Sequence, residues 1–130
     1  MFKIAPKSAT FKATVVFREL DDAGCSVTNT LGMTLRRFTQ KALQAAIDAH
    51  PFPKDEDGNA IRISAEEALD ITARQVQELA VDWDVADNDG QPLPFTHDHI
   101  VAVLDSYPSL FSAIMETCGE AHRGEVRRKN

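Results

Sequence analysis

The sequence lacks the common motifs that mark a reaction centre. Its two cysteines, Cys25 and Cys118, lie far apart and form no CxxC pair, so neither a disulfide framework nor a cysteine-based zinc site is predicted. It also contains no GxSxG, HExxH or glycine-rich phosphate loop. We therefore expect reduced thiols, no metal, no cofactor and no catalytic residue, and an enzyme is the weaker class of function.

Positive charge is also scarce. No Lys or Arg occurs between Gln75 and His122, and the formal net charge of the chain is -6. A nucleic-acid binder needs clustered Lys and Arg to neutralise phosphates, so nucleic acid is not expected as a partner. The sign reverses at the end of the chain, at Arg127, Arg128 and Lys129. A solvated acidic face with a basic tail is one interpretation of this pattern, and an electrostatically steered partner surface is the other.

Long apolar runs are absent as well. No segment approaches the roughly 18 apolar residues of a membrane span, and the start MFKIAPKSATFK lacks the apolar stretch of a signal peptide. We expect a cytoplasmic protein without a membrane partner. A chain of 130 residues with 43% hydrophobic residues is predicted to form a single domain, residues 1–130, whose ends, residues 1–8 and 123–130, are flexible.

The first part of the chain has the pattern of a β-hairpin. Residues 10–18 alternate between apolar and polar side chains, which predicts a half-buried strand. Residues 21–24 are rich in turn formers, and the alternation resumes at Val27, Leu31 and Met33. An antiparallel hairpin explains both segments.

Helical spacing of apolar residues replaces this alternation from Thr34 onward. Thr34 is the predicted N-cap of a first helix that ends before Pro51. Residues 51–59 are predicted to form a polar loop, and residues 60–64, AIRIS, an extended edge segment.

Three further helices follow. Ser64 and Glu67 form a capping box that starts the second helix, and its apolar stripe is predicted to run as far as Trp83 in the last turn. Thr96 is the predicted N-cap of the third helix, and Pro108 marks the start of the fourth. The sequence thus predicts an α+β fold, mostly helical, in which an N-terminal β-hairpin or small antiparallel sheet packs on about four helices.

The segment VDWDVADNDGQPLPF, residues 81–95, is the most distinctive in the chain. Its aspartates resemble part of a calcium-binding loop. The EF-hand register, however, requires an oxygen ligand where Val85 stands and a bidentate Glu where Thr96 stands. Turn formation explains Asn88, Asp89 and Gly90 without a metal.

The two histidines that follow do not form a metal site by themselves. His97 and His99 are two positions apart on the predicted helix, and residues with this spacing do not face each other. A metal-dependent enzyme that combines the acidic loop with one of these histidines remains the least favoured alternative.

The order of these features resembles a known family. A tryptophan is followed by an acidic stretch, a DG pair, PLPF, a helix, a Pro-Leu segment and a closing helix with a basic Lys-Asn end. The residues that carry this order are Trp83, Asp89, Gly90, Pro92, Leu93, Pro94, Phe95, Tyr107, Pro108, Leu110, Arg127, Arg128, Lys129 and Asn130. Taken together, they are similar to the tail assembly chaperones of long-tailed (siphovirus-type) bacteriophages and prophages.

The resemblance implies a non-catalytic role in phage tail morphogenesis. Such a chaperone binds the long, helical tape measure protein, keeps it soluble, helps to recruit tail tube subunits and is absent from the mature virion. It acts in the cytoplasm of the bacterial host. The resemblance leaves a homo-oligomer and a longer, frameshifted form open. A small cytosolic adaptor for protein interactions is the alternative function.

Five residues are candidates for partner binding, and four are assigned to the structure of the loop. An amphipathic groove for a partner helix would draw on apolar residues of the last two helices, most of which we expect in the core. Trp83 is predicted to pack under the PLPF segment, and an exposed hot spot is the alternative. The partner candidates are Trp83, Phe95, Leu110, Phe111 and Met115, with Val101, Leu104 and Ile114 as further groove residues. The structural loop residues are Asp89, Gly90, Pro92 and Pro94.

Overall fold

A computed structural model of the chain describes residues 1–124. Its elements follow the order β1 (Thr10–Leu20), β2 (Ser26–Arg36), α1 (Gln40–Asp48), α2 (Ala65–Leu79), β3 (Ala80–Trp83), α3 (His97–Ser106) and α4 (Leu110–His122). The three strands form one antiparallel sheet in the order β1-β2-β3. The prediction of an α+β fold with a small N-terminal sheet and about four helices is confirmed.

The β1–β2 hairpin follows the alternation of the sequence. Phe11, Val15 and Phe17 point to the inner face of the sheet and pack on or within the core, whereas Lys12 and Thr14 are exposed. The pairing is continuous from Thr10 opposite Arg36 to Leu20 opposite Ser26, so β2 extends beyond the predicted second strand.

The first helix begins later than predicted. Thr34 lies within β2, paired with Lys12 on one side and Asp82 on the other. The N-cap is Thr39, whose Oγ1 accepts a hydrogen bond from the Ala42 amide at 3.2 Å. Both threonines are suitable caps by residue type. Strand pairing on both sides of Thr34 decides between them, and the sequence pattern does not contain that information.

The second helix begins as predicted and ends earlier. Ser64 Oγ accepts from the Glu67 amide at 3.1 Å. The helix ends at Leu79, and Ala80 is extended with φ -132° and ψ 159°. The prediction that Trp83 lies in the last turn of this helix is wrong, because residues 80–83 form β3, which adds to β2 with Trp83 opposite Met33. Ala80 and Trp83 are buried at the two ends of this short strand. They are three residues apart, which is also the spacing of buried residues on one face of a helix.

The extended edge segment predicted at residues 60–64 is also wrong. The chain there folds back on the preceding loop through an isolated bridge between Lys54 and Ala60, and the Ile61 amide donates to the Pro53 carbonyl at 3.1 Å. Ile61 stays 47% exposed. The small local hairpin therefore closes at Lys54 and Ala60, and residues 61–64 belong to no strand.

The core lies between the inner face of the sheet and helices α2, α3 and α4. Its largest fully buried side chains are Leu35, Leu79, Ile100, Leu110, Ile114, Val15, Val76 and Cys118. Full burial of an aliphatic side chain of this size contributes about 1.5–3 kcal/mol. None of the helices within residues 1–124 has the length and apolar character needed to cross a bilayer.

Two helix starts match the sequence prediction. The Oγ1 of Thr96 accepts from the His99 amide at 3.4 Å, which makes Thr96 the N-cap of α3. Helix α4 begins at Leu110, directly after Pro108 and Ser109, as the position of the proline predicted. At the ends of the chain, residues 1–9 are exposed. The predicted flexible end at 123–130, with its basic tail, lies outside the described residues from position 125 onward.

Candidate partner-binding surface

The indole of Trp83, in β3, contacts the loop formed by residues 84–95. Its Nε1 donates a hydrogen bond of 2.7 Å to the Leu93 carbonyl, and its ring meets that of Phe95 edge to face with centroids 5.2 Å apart. Trp83 is only 9% exposed. Trp83 therefore packs under residues 84–95 and holds them against the sheet. A buried Trp whose indole N–H has a hydrogen-bond acceptor commonly plays this role.

The acidic turn of this loop is held by one carboxylate. Asp87 Oδ1 accepts from the amides of Asp89 and Gln91, both at 2.9 Å, while the Asp87 amide donates to the Gln91 carbonyl at 2.8 Å. Gly90 has φ +79°, a left-handed conformation that glycine adopts without strain. The Asp87 carboxylate therefore stabilises the turn by accepting backbone hydrogen bonds. This role explains an aspartate at position 87 without a bound cation.

The same turn occurs three times in the structure. In each copy an aspartate Oδ1 accepts from the amides two and four residues later, and a glycine three residues later has positive φ. The aspartates are Asp21, Asp55 and Asp87, and the glycines are Gly24, Gly58 and Gly90. This D-x-x-G spacing is visible in the sequence, and it is the signal that would have predicted all three tight hairpin turns.

The histidines near the loop face different partners. His97 Nε2 lies 2.8 Å from Asp70 Oδ1, which joins α3 to α2. His99 Nδ1 donates to the Pro94 carbonyl at 2.8 Å, which ties the loop to α3. Across residues 1–124, no cluster of three or more His, Cys, Asp or Glu side chains is placed to hold a metal ion.

The buried thiol belongs to the core. Cys118 is 2% exposed, and burial raises the pKa of its thiol to about 11. Because the thiolate is the nucleophilic form, a thiol with this pKa is unreactive near neutrality. The neighbouring His122 ring is used structurally: its Nδ1 donates to the Cys118 carbonyl at 2.8 Å, and its Nε2 accepts from the Phe38 amide at 3.2 Å.

An open groove of about 390 Å³ lies where α2 meets the end of α3 and the start of α4. We call it the helical groove. Its walls are mainly apolar and include small side chains that allow another backbone to approach closely. The lining residues are Ala65, Ala68, Leu69, Thr72, Leu104, Asp105, Pro108 and Phe111.

The predicted partner residues are distributed unequally around this groove. Phe111 lines it and is half-buried. Leu110 and Trp83 are buried in the core, and Phe95 and Met115 are half-buried against it.

Of the further groove residues, Leu104 reaches the groove but is itself only 5% exposed, Ile114 is buried, and Val101 is half-buried. The apolar stripe of α2 does not by itself predict this wall, because helical spacing is the same in the buried half and in the half that lines the groove. Only Ala73, Val76 and Leu79 of α2 are buried.

A largely apolar groove between helices has the geometry in which an amphipathic helix of another protein can bind. Comparison with known families identifies the family to which the chain belongs. The chain matches the phage tail assembly chaperone family over residues 1–130, its whole length, and belongs to that family. The resemblance noted in the sequence is confirmed. No curated protein and no solved structure matches the chain.

Proposed function

We propose that this chain binds the tape measure protein during phage tail assembly, keeps it soluble and helps to recruit tail tube subunits. The role is non-catalytic and is carried out in the host cytoplasm, and the chaperone leaves before the virion is complete. The observation that carries the proposal is the helical groove on a chain whose whole length belongs to the tail assembly chaperone family.

The shape of the groove suits an amphipathic helix. A partner helix places its apolar residues at i, i+3, i+4 and i+7 in such a groove. Ala65 and Ala68 keep the α2 wall low, and Phe111 provides a large apolar contact at the opposite side. A long, unassembled helix exposes an apolar stripe that promotes aggregation. Covering part of that stripe would keep the partner in solution.

The charge of the domain suits a solubilising role. The whole chain carries a formal net charge of -6, and the negative charge is concentrated in residues 42–130, where seven Lys or Arg stand against seventeen Asp or Glu. Asp105 brings one of these charges to the groove itself. A complex that carries a large net charge repels its copies and resists association.

Co-expression with the tape measure partner tests the proposal. Wild-type protein should co-purify with the tape measure protein and raise its soluble fraction. Ala65→Glu should reduce both effects, because it adds a charged side chain to the groove. The fold should tolerate the change, since an acidic residue in the first turn of α2 interacts favourably with the helix dipole.

Ala45→Glu is the matched control. Ala45 is exposed on α1 and lies outside the groove, so the same change there should leave the partner soluble. The proposal is wrong if wild-type protein neither co-purifies with the tape measure protein nor improves its solubility. The groove assignment alone is wrong if Ala65→Glu and Ala45→Glu behave alike.

A further inference from the structure

Strand β1 lies at an edge of the sheet. It pairs with β2 on one side over all 11 of its residues, and within residues 1–124 the strand order β1-β2-β3 places no strand on its other side. An edge strand of this length presents a row of backbone donors and acceptors that another extended segment can pair with.

The ladder hydrogen bonds show which backbone groups face outward. The Arg37 amide donates to the Ala9 carbonyl, and the Asp21 amide donates to the Cys25 carbonyl. In an antiparallel pair, bonded residues alternate with non-bonded ones, so the odd-numbered residues of β1 bond to β2. The amides and carbonyls of the even-numbered residues therefore point away from the sheet.

One end of this edge is already occupied. Ser109 Oγ, next to the start of α4, donates to the outward Arg18 carbonyl at 2.6 Å. Within residues 1–124, no hydrogen bond from another element reaches the outward groups of Thr10, Lys12, Thr14 and Val16. We call these four residues the open edge.

The open edge lies in the basic part of an acidic protein. Residues 1–41 contain seven Lys or Arg and three Asp or Glu, a formal charge of +4, whereas the whole chain carries -6. Lys12 is exposed on the open edge, whereas Arg36, opposite Thr10, lies on β2 and is one strand further away. The Arg37 guanidinium lies 4.9 Å from the centre of the Phe11 ring. Opposite charges on cross-strand neighbours stabilise strand pairing, and like charges oppose it.

We propose that the open edge of β1 is a docking site for an extended, acidic segment of a partner protein, which adds to the sheet as a fourth strand. Backbone hydrogen bonds to Thr10, Lys12, Thr14 and Val16 supply the attachment. A carboxylate opposite Lys12 supplies the preference for an acidic sequence. This site is separate from the helical groove, so its test does not depend on the proposed tape measure binding.

A lysine on an edge strand also has a purely protective use, because it discourages unwanted pairing. The two roles differ in what they predict. A protective lysine repels every added strand, whereas a docking lysine selects strands of opposite charge. A direct comparison of an acidic and a basic peptide separates the two roles.

The experiment uses the whole chain and two synthetic peptides of about nine residues, a length typical of a strand. One alternates Val with Glu and the other alternates Val with Lys. Amide hydrogen exchange followed by NMR should show that the Val-Glu peptide protects the Lys12, Thr14 and Val16 amides. Its Kd should be about 2- to 30-fold lower than that of the Val-Lys peptide, since the favourable cross-strand charge pair at Lys12 becomes an unfavourable one.

Thr14→Pro removes the outward amide of residue 14 without removing a hydrogen bond between β1 and β2. An edge strand tolerates proline at a position whose amide points away from the sheet. The substitution should weaken binding of the Val-Glu peptide about tenfold. Thr14→Val retains the amide and should bind as the wild type does. Lys12→Glu, an exposed change, should reverse the preference between the peptides, and it serves as the test if Thr14→Pro does not fold.

The proposal is overturned if the two peptides bind equally or not at all, or if protection appears away from β1. It is also overturned if the same amides are protected without peptide in a concentration-dependent dimer, because the occupant would then be a second copy of the chain. The Ala65→Glu variant should bind the Val-Glu peptide normally, so failure of the groove and failure of the edge are distinguishable.

Discussion

Replacing Trp83 by alanine should cost the domain much of its stability. The side chain is 9% exposed, contacts the Phe95 ring and donates to the Leu93 carbonyl. Truncation of a buried Trp or Phe to alanine costs about 3–5 kcal/mol. An unfolding entropy of about 2.1 cal/mol/K per residue gives roughly 0.27 kcal/mol/K for a chain of 130 residues. The melting temperature should therefore fall by about 11–18 °C.

Thermal unfolding followed by far-ultraviolet circular dichroism measures this effect in every variant, including those without the single tryptophan. Trp83→Phe should lie between the wild type and Trp83→Ala, because a ring still faces Phe95 while the hydrogen bond to Leu93 is lost. The loss of that bond alone should cost about 1–2 kcal/mol. Phe52→Ala is the control, since Phe52 is 41% exposed and its truncation should have a much smaller effect.

The opposite result would place Trp83 at a partner surface. If Trp83→Ala keeps its melting temperature but loses binding to the tape measure protein, then the indole contributes to the interface and the anchoring argument is wrong. A lowered melting temperature with partner binding retained at low temperature would instead leave Trp83 as a support of the loop.

The sequence predicted those parts of the fold in which neighbouring residues determine the structure. The alternation around Val15 gives the hairpin, and the side-chain caps Ser64 and Thr96 give two helix starts. These signals are local, because a cap or a two-residue period involves residues close together in the chain. These two caps and the alternation of β1 are therefore found in the structure as predicted, whereas the cap predicted at Thr34 is not.

The predictions that failed all involve β3 or its partner strand, or a segment with no strand beside it. Thr34 and Trp83 were both placed in helices, whereas the structure pairs β2 with β3 across almost 50 residues of intervening chain. A helical period can be satisfied by chance over four residues, and only the distant pairing shows that Ala80 is extended. Helical propensity is a weak guide where a strand can add to an existing sheet.

The candidate groove could be predicted only in part for a related reason. Phe111 was identified from its helical spacing, but spacing does not show which part of an apolar stripe another helix covers. On α2 the second half of the stripe is buried, while Ala65, Ala68 and Leu69 line the groove. The angle at which α3 and α4 cross α2 decides this division, and that angle follows from tertiary packing.

Two further predictions test the turns and the thiols. Gly90→Ala should lower the free energy of unfolding by about 1–2 kcal/mol, because Gly90 has φ +79° and a left-handed conformation is costly for residues with a Cβ. Chemical denaturation measures this change in the free energy of unfolding. An unchanged stability would contradict the assigned turn. The two thiols should react unequally with a disulfide reagent at pH 8. Cys25 is exposed and should be labelled in the native protein, whereas Cys118 is buried with its pKa raised to about 11 and should be labelled only after denaturation. Rapid labelling of both thiols in the native state would contradict the core position of Cys118.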